Sequence, residues 1–130
     1  MSKTIRQSVT IKATPTRVFE ALIDERRHTK FTGAPAVISR RVGGAFTCFG
    51  GYLSGINLDV VPGRRIVQAW RSKNWPEGYY SVVTFALAKA AGGRTRLTFT
   101  QLGVPAGDFK GKSEGWRERY WKPLKAHLEG

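Results

Sequence analysis

Few side chains in this 130-residue sequence have the chemistry of a nucleophile, a base or a metal ligand. The two histidines, His28 and His127, fall on helical segments, and neither has Cys, Asp or Glu at the short intervals that chelation requires. Both read as surface or helix-end residues. Cys48 stands between Thr47 and Phe49 with no base beside it in sequence, and an isolated strand thiol of this kind is buried and inert. Asp24 and Glu25 are adjacent, so at a helix end they diverge and cap or face water instead of sharing a proton. No nucleophile, base and orienting group assemble. No catalytic residue, metal site or cofactor is expected.

The glycine doublets of "GGAFTCFGGYLSG", Gly43-Gly44 and Gly50-Gly51, raise the question of a phosphate loop. Such a loop runs from a strand into a helix and carries Lys-Ser or Lys-Thr, whereas "YLSGINLDVV" after Gly51 reads as another strand. The doublets are therefore expected at corners where strands reverse.

Composition sets the wider limits. Hydrophobic residues make up 41% and charged ones 24%, the proportions of one ordinary globular domain spanning 1–130. Lys and Arg number 22 against 9 Asp and Glu, a formal net charge of +13. The cations are dispersed in pairs such as Arg26-Arg27, Arg40-Arg41 and Arg64-Arg65, a solubilising surface more than a nucleic-acid stripe. A lone cysteine needs no oxidising compartment, and "MSKTIRQSV" has no signal-peptide core. No apolar run reaches the ~18 residues of a membrane helix, so a cytoplasmic protein without membrane insertion is expected.

The elements follow from periodicity. Residues 5–13 alternate as a half-buried strand, and Thr14 with Pro15 opens an amphipathic helix over 15–24 that turns Val18, Phe19 and Leu22 to one side. "ERRHTKF" gives a second short helix with Phe31 inward. Strands are expected at 36–41, 45–50, 52–61, 64–73, 79–88 and 95–102, with short connections that favour antiparallel neighbours. "SEGWRERYWKPLKAHLEG" places Trp116, Tyr120, Trp121, Leu124 and Leu128 on one helical face, with Ser113 as N-cap and Pro123 bending the helix locally. The fold class is α+β: about seven antiparallel strands, curved around a long C-terminal helix, with two short helices after strand one.

"ATPTRVFEALID" resembles the N-terminal signature of START-like (SRPBCC, helix-grip) proteins. "GGYLSGINLDVVPGRRIVQAWRSKNWPEG", "GVP" at 103–105 and "GWRERYWKPLK" are similar to the heat-shock protein 90 ATPase activator family, C-terminal-domain type. The resemblance implies the helix-grip fold, often with an apolar cavity between sheet and helix.

Strand parity selects the residues that face such a cavity. Ile66, Gln68 and Trp70 share one side of their strand, as do Val83, Phe85 and Leu87, and Leu97, Phe99 and Gln101. With Trp116 and Tyr120 they form the expected ligand-binding set: Ile66, Gln68, Trp70, Val83, Phe85, Phe99, Gln101, Trp116 and Tyr120. The strand at 52–61 reads on both faces, with Gly55 as a bulge, which leaves Asn57 and Asp59 unassigned. A second region, Arg71, Lys73, Trp75 and Tyr79 on "WRSKNWPEGYYS", mixes cations and rings as partner surfaces do. Three readings follow: non-catalytic binding of a small hydrophobic or amphipathic molecule, a chaperone-associated interaction module, and a cyclase- or hydrolase-like enzyme. Nucleic acid is the least favoured partner.

Overall fold

A computed structural model describes residues 1–130. Strand β1 (Ser2–Ile11) leads into helix α1 (Pro15–Ile23) and helix α2 (Glu25–Thr32). Strands β2 (Val37–Ile38), β3 (Ala45–Cys48), β4 (Leu53–Val61), β5 (Arg65–Ser72), β6 (Ser81–Ala90) and β7 (Arg94–Pro105) follow. They form one seven-stranded antiparallel sheet in the order β1-β7-β6-β5-β4-β3-β2. Its concave side holds a C-terminal helical segment built of α3 (Phe109–Trp116), a wide turn (Arg117–Trp121) and α4 (Lys122–Glu129). This is the helix-grip arrangement. No helix is long and apolar enough to cross a membrane.

Local chemistry explains the short helices. The Thr14 hydroxyl accepts from the Arg17 amide, and Pro15 occupies the first turn of α1. The Asp24 carboxylate accepts from the amides of Arg26 and Arg27, and Gly33, at φ 75°, ends α2 in the left-handed conformation. Glu25 accepts from the Ile38 amide and ties α2 to the short edge strand. The adjacent carboxylates thus diverge into two structural roles.

The terminal helix differs from expectation at its start. It begins at Phe109, and Ser113 lies buried in its interior, its carbonyl accepting from Gln7 Nε2. Gly107, Gly111 and Gly115 hide this extension because glycine weakens a helical reading. Pro123 acts through the turn before it: the Lys122 amide donates to the Arg117 carbonyl five residues back, so the helix widens over Arg117–Trp121. The wide turn brings the sequence neighbours Tyr120 and Trp121 inward together, 4% and 5% exposed.

Strand β4 also resolves differently. Leu53, Gly55 and Asn57 face the core, and the irregularity lies between Asn57 and Asp59, not at Gly55. Gly55 is a close-approach glycine opposite Trp70; a Cβ there would stand 1.8 Å from the Ala69 carbonyl oxygen and 2.7 Å from Phe46 Cζ. Gly55→Ala is expected to destabilise the fold by about 1–3 kcal/mol or more, because neither backbone nor packed ring can yield. Urea denaturation checks this, and wild-type stability would refute the packing argument.

Candidate functional site

The candidate site is an open cleft of about 560 Å³ between the sheet and the first half of the terminal helix. Three features build it. The chain after β3 makes a left-handed turn through Phe49, Gly50 and Gly51, at φ 53°, 65° and 96°. The glycines accept this geometry freely, whereas at Phe49 it is a strained conformation of about 1–2 kcal/mol. The turn sets the half-buried Phe49 ring against Tyr120, centroids 5.9 Å apart. No phosphate loop forms here, because the glycines lie within the turn and the next element is strand β4 and not a helix.

The second feature is the aromatic wall. Trp70 and Trp116 have centroids 5.7 Å apart, Trp116 and Tyr120 4.5 Å, and the exposed Tyr52 closes the rim beside Lys112. Third, Gly111 and Gly115 line the helix side, and a Cβ at either would meet nothing within 4 Å. Packing in the protein itself therefore does not require glycine there. The result is a strip of bare helix backbone continuous with Trp116 and Tyr120, in a cleft also lined by Phe49, Tyr52 and Trp70. Lys112, its ammonium bonded to Ser72 Oγ at 3.1 Å, brings a cation to the edge.

Of the expected ligand-binding set, Trp70, Trp116 and Tyr120 border this cleft. Ile66, Val83, Phe85 and Phe99 pack in the core, with Phe99 4.3 Å from Trp116 between ring centroids. The two glutamines are internal struts. Gln101 accepts from Trp116 Nε1 at 2.8 Å and donates to Ser81 Oγ at 3.0 Å, while Gln68 donates to Asn57 Oδ1 at 3.2 Å. Their amides are engaged, as buried polar groups must be.

The residues at 71–79 divide in a similar way. Trp75 is 5% exposed, packs edge-on against Trp70 and Tyr79, and donates from Nε1 to Asp108 Oδ2 at 2.6 Å. Tyr79 donates its hydroxyl to the Gly103 carbonyl, and Arg71 donates to the carbonyls of Trp75 and Pro76. These contacts fold the hairpin end onto the start of α3, and of the four only Lys73 is fully exposed. Its aromatic residues serve the fold.

Beneath the cleft lies a polar cluster that sequence spacing did not disclose. His28, expected at the surface, is 5% exposed. Its Nδ1 lies 3.0 Å from the Leu22 carbonyl, which can only accept, so the proton sits on Nδ1 and Nε2 accepts from the Tyr120 hydroxyl at 3.0 Å. Cys48 Sγ lies 3.6 Å from the same Nε2. Burial lowers the His28 pKa to about 4, the Leu22 bond offsetting this only in part. Burial likewise pushes Cys48 up to about 12 and holds the Tyr120 hydroxyl well above its ordinary range. At neutral pH all three are uncharged. They form a buried strut joining α2, β3 and the wide turn, with Tyr120 as the member whose ring reaches the cleft.

The model of the family described as "Activator of Hsp90 ATPase homolog 1-like protein" matches residues 12–129. The chain belongs to this family. Within the activator-homologue family, the human activator of 90 kDa heat shock protein ATPase homolog 1 is 31% identical over 121 residues, covering 90% of this chain and 36% of the human protein. The chain thus spans about a third of the length of such relatives. The crystal structure of an HSP90 activator from Plasmodium falciparum superposes with a TM-score of 0.92 at 24% identity, over 97% of this chain and 96% of that one. A protein from Chromobacterium violaceum gives 0.80 at 29% identity, over 98% of each chain. The activator-homologue fold is thus present with its sheet, two short helices and gripped terminal helix.

Proposed function

We propose that this chain is a non-catalytic interaction module for an Hsp90-class chaperone, of the kind that raises the chaperone's ATPase turnover. The supporting observation is its 31% identity with the human activator across nine-tenths of its own length. The uncharged, buried state of His28, Tyr120 and Cys48 agrees with a protein that binds without chemistry. A buried single thiol suits the reducing cytosol as its compartment. Turnover of purified human Hsp90, measured with and without the chain at micromolar concentration, is expected to rise. Unchanged turnover together with no binding by calorimetry would sink the reading.

The cleft favours a second reading, the binding of a small apolar or amphipathic molecule. Five rings supply contact area, Lys112 and Arg119 stand beside the carboxylates of Asp108, Glu114 and Glu118 on the lining and give it the mixed polarity an amphipathic molecule needs, and Gly111 and Gly115 leave the helix backbone open to a flat ligand. The probe is anilinonaphthalene sulfonate, which carries rings and an anion. Gly115→Leu is expected to abolish its fluorescence enhancement and to raise helix stability by about 0.5–1 kcal/mol. Opposite signs in binding and stability separate a blocked cleft from a damaged fold, and undiminished fluorescence in the variant would remove the cleft as the site.

A further inference from the structure

Charge is distributed unevenly between the two layers of the fold. Of the nine acidic residues only Asp59 lies on a strand, and its carboxylate is bonded to Arg65 at 2.8 Å. Glu20, Asp24, Glu25, Glu77, Asp108, Glu114, Glu118 and Glu129 lie on helices or connections. The outward positions of the strands carry Arg6, Arg65, Arg71, Arg94 and Arg96. Arg65 is neutralised by Asp59, and Arg71 is held by the carbonyls of Trp75 and Pro76. Arg6, Arg94 and Arg96 remain exposed with no carboxylate partner.

The same convex face carries an aliphatic row. The register places Ala45 opposite Ile56, Ile56 opposite Ala69, Ala69 opposite Val82 and Val82 opposite Leu102, one continuous line across β3, β4, β5, β6 and β7. Ile56, Val82 and Leu102 are 43%, 37% and 50% exposed. The helices form one layer on the opposite, concave side, so this row has no partner within the chain. Along β7 the outward residues read Leu102, Thr100, Thr98, Arg96, Arg94: an aliphatic end, two threonines, then two arginines. Leu102 and Arg96 stand about 20 Å apart at ~3.4 Å per residue, the reach of an extended segment of about six residues.

We infer that the outer face of β7, flanked by Val82 of β6 and Arg6 of β1, docks an extended acidic segment of a partner protein. An aliphatic side chain of that segment covers Leu102 and Val82, and its carboxylates meet Arg94, Arg96 and Arg6. Charge complementarity identifies the occupant, since guanidinium groups without intramolecular carboxylates take planar carboxylates in paired hydrogen bonds. A nucleic acid fits this face less well. It would leave the aliphatic row uncovered and finds no run of exposed rings on which to stack.

The inference rests on the chaperone-partner reading and assigns it a surface. The test is calorimetric binding of purified human Hsp90 to the full chain and to three variants, at low and physiological salt, with thermal unfolding confirming that each is folded. Arg94→Glu with Arg96→Glu is expected to weaken binding about ten-fold or more and to flatten its salt dependence. Leu102→Ser is expected to weaken it with the salt dependence unchanged. Arg26→Glu with Arg27→Glu, exposed on α2, is the control and should leave affinity near wild type. Wild-type affinity in the folded β7 variants overturns the surface while the partner reading stands. Equal weakening by the α2 control overturns it in favour of undirected charge. A single-stranded oligonucleotide bound more tightly than the chaperone, and released by the β7 reversals, overturns it in favour of nucleic acid. No binding by the wild type removes the partner reading and this inference with it.

Discussion

Trp116→Ala is expected to destabilise the protein by about 3–5 kcal/mol, the range for removing a large buried ring from a packed core. Trp116 joins the two aromatic groups of the interior. Its ring lies 4.3 Å from Phe99, 5.7 Å from Trp70 and 5.6 Å from Trp121 between centroids, and 4.5 Å from Tyr120. Alanine would open a cavity among these rings and leave Gln101 Oε1 without its donor. Trp116→Phe separates the contributions, because it keeps most of the ring contact and loses the N–H bond, at about 1–2 kcal/mol. Domains of this size are stable by about 5–15 kcal/mol, so the alanine variant loses a large share of the total. Urea unfolding reads both values. An alanine variant within about 1 kcal/mol of wild type would show that the terminal helix is not what the sheet grips.

Acidification gives the second large effect. An unfolded chain titrates His28 near its ordinary value of 6.5, whereas the native ring stays neutral down to about pH 4. Between those values the unfolded state takes up a proton that the native state refuses, so stability is complete above pH 6.5 and falls as the pH is lowered to 4. At ~1.4 kcal/mol per pH unit the loss amounts to about 3 kcal/mol. Cys48 and Tyr120, displaced upward, stay protonated across this window and contribute nothing to the slope. His28→Gln removes the titration and keeps a polar group near Tyr120, so its stability should be nearly flat over pH 4–6.5 apart from changes common to both proteins. Equal slopes in the variant and the wild type would exclude His28 as the acid-sensitive group.

Both effects concern the stability of the fold. The same cluster that makes the protein acid-sensitive engages the His28 Nε2 lone pair with the Tyr120 hydroxyl and leaves the Cys48 thiol protonated at neutral pH. The cleft offers rings and bare helix backbone, and the sheet's outer face offers arginines and an aliphatic row.

Strand parity, turn positions and the aromatic stripe of the terminal helix were legible in the sequence because each depends on neighbours one to four residues away. Val83, Phe85, Phe99 and Gln101 face the helix as alternation requires, since a strand turned over would expose its whole apolar set. Which inward residues border open space was not legible. Trp70, Trp116 and Tyr120 reach the cleft while Phe85 and Phe99 do not, a difference that depends on the tertiary packing of the Phe49 turn against the terminal helical segment. Trp75 was legible either as a partner-surface ring or as a ring folded over the hairpin end, and the contacts that place it inside, Trp70, Tyr79 and the Asp108 carboxylate, include one 33 positions away.

What the sequence determined by itself is an architecture, one antiparallel sheet gripping a terminal helix, because periodicity records which side of each element avoids water. Tertiary structure alone decided the fate of the chemically active residues. His28 meets Tyr120 across 92 positions and Cys48 across 20, and its burial, proton position and pKa come from that meeting. Desolvation and hydrogen bonding act through space at a few ångströms, and no local spacing encodes them.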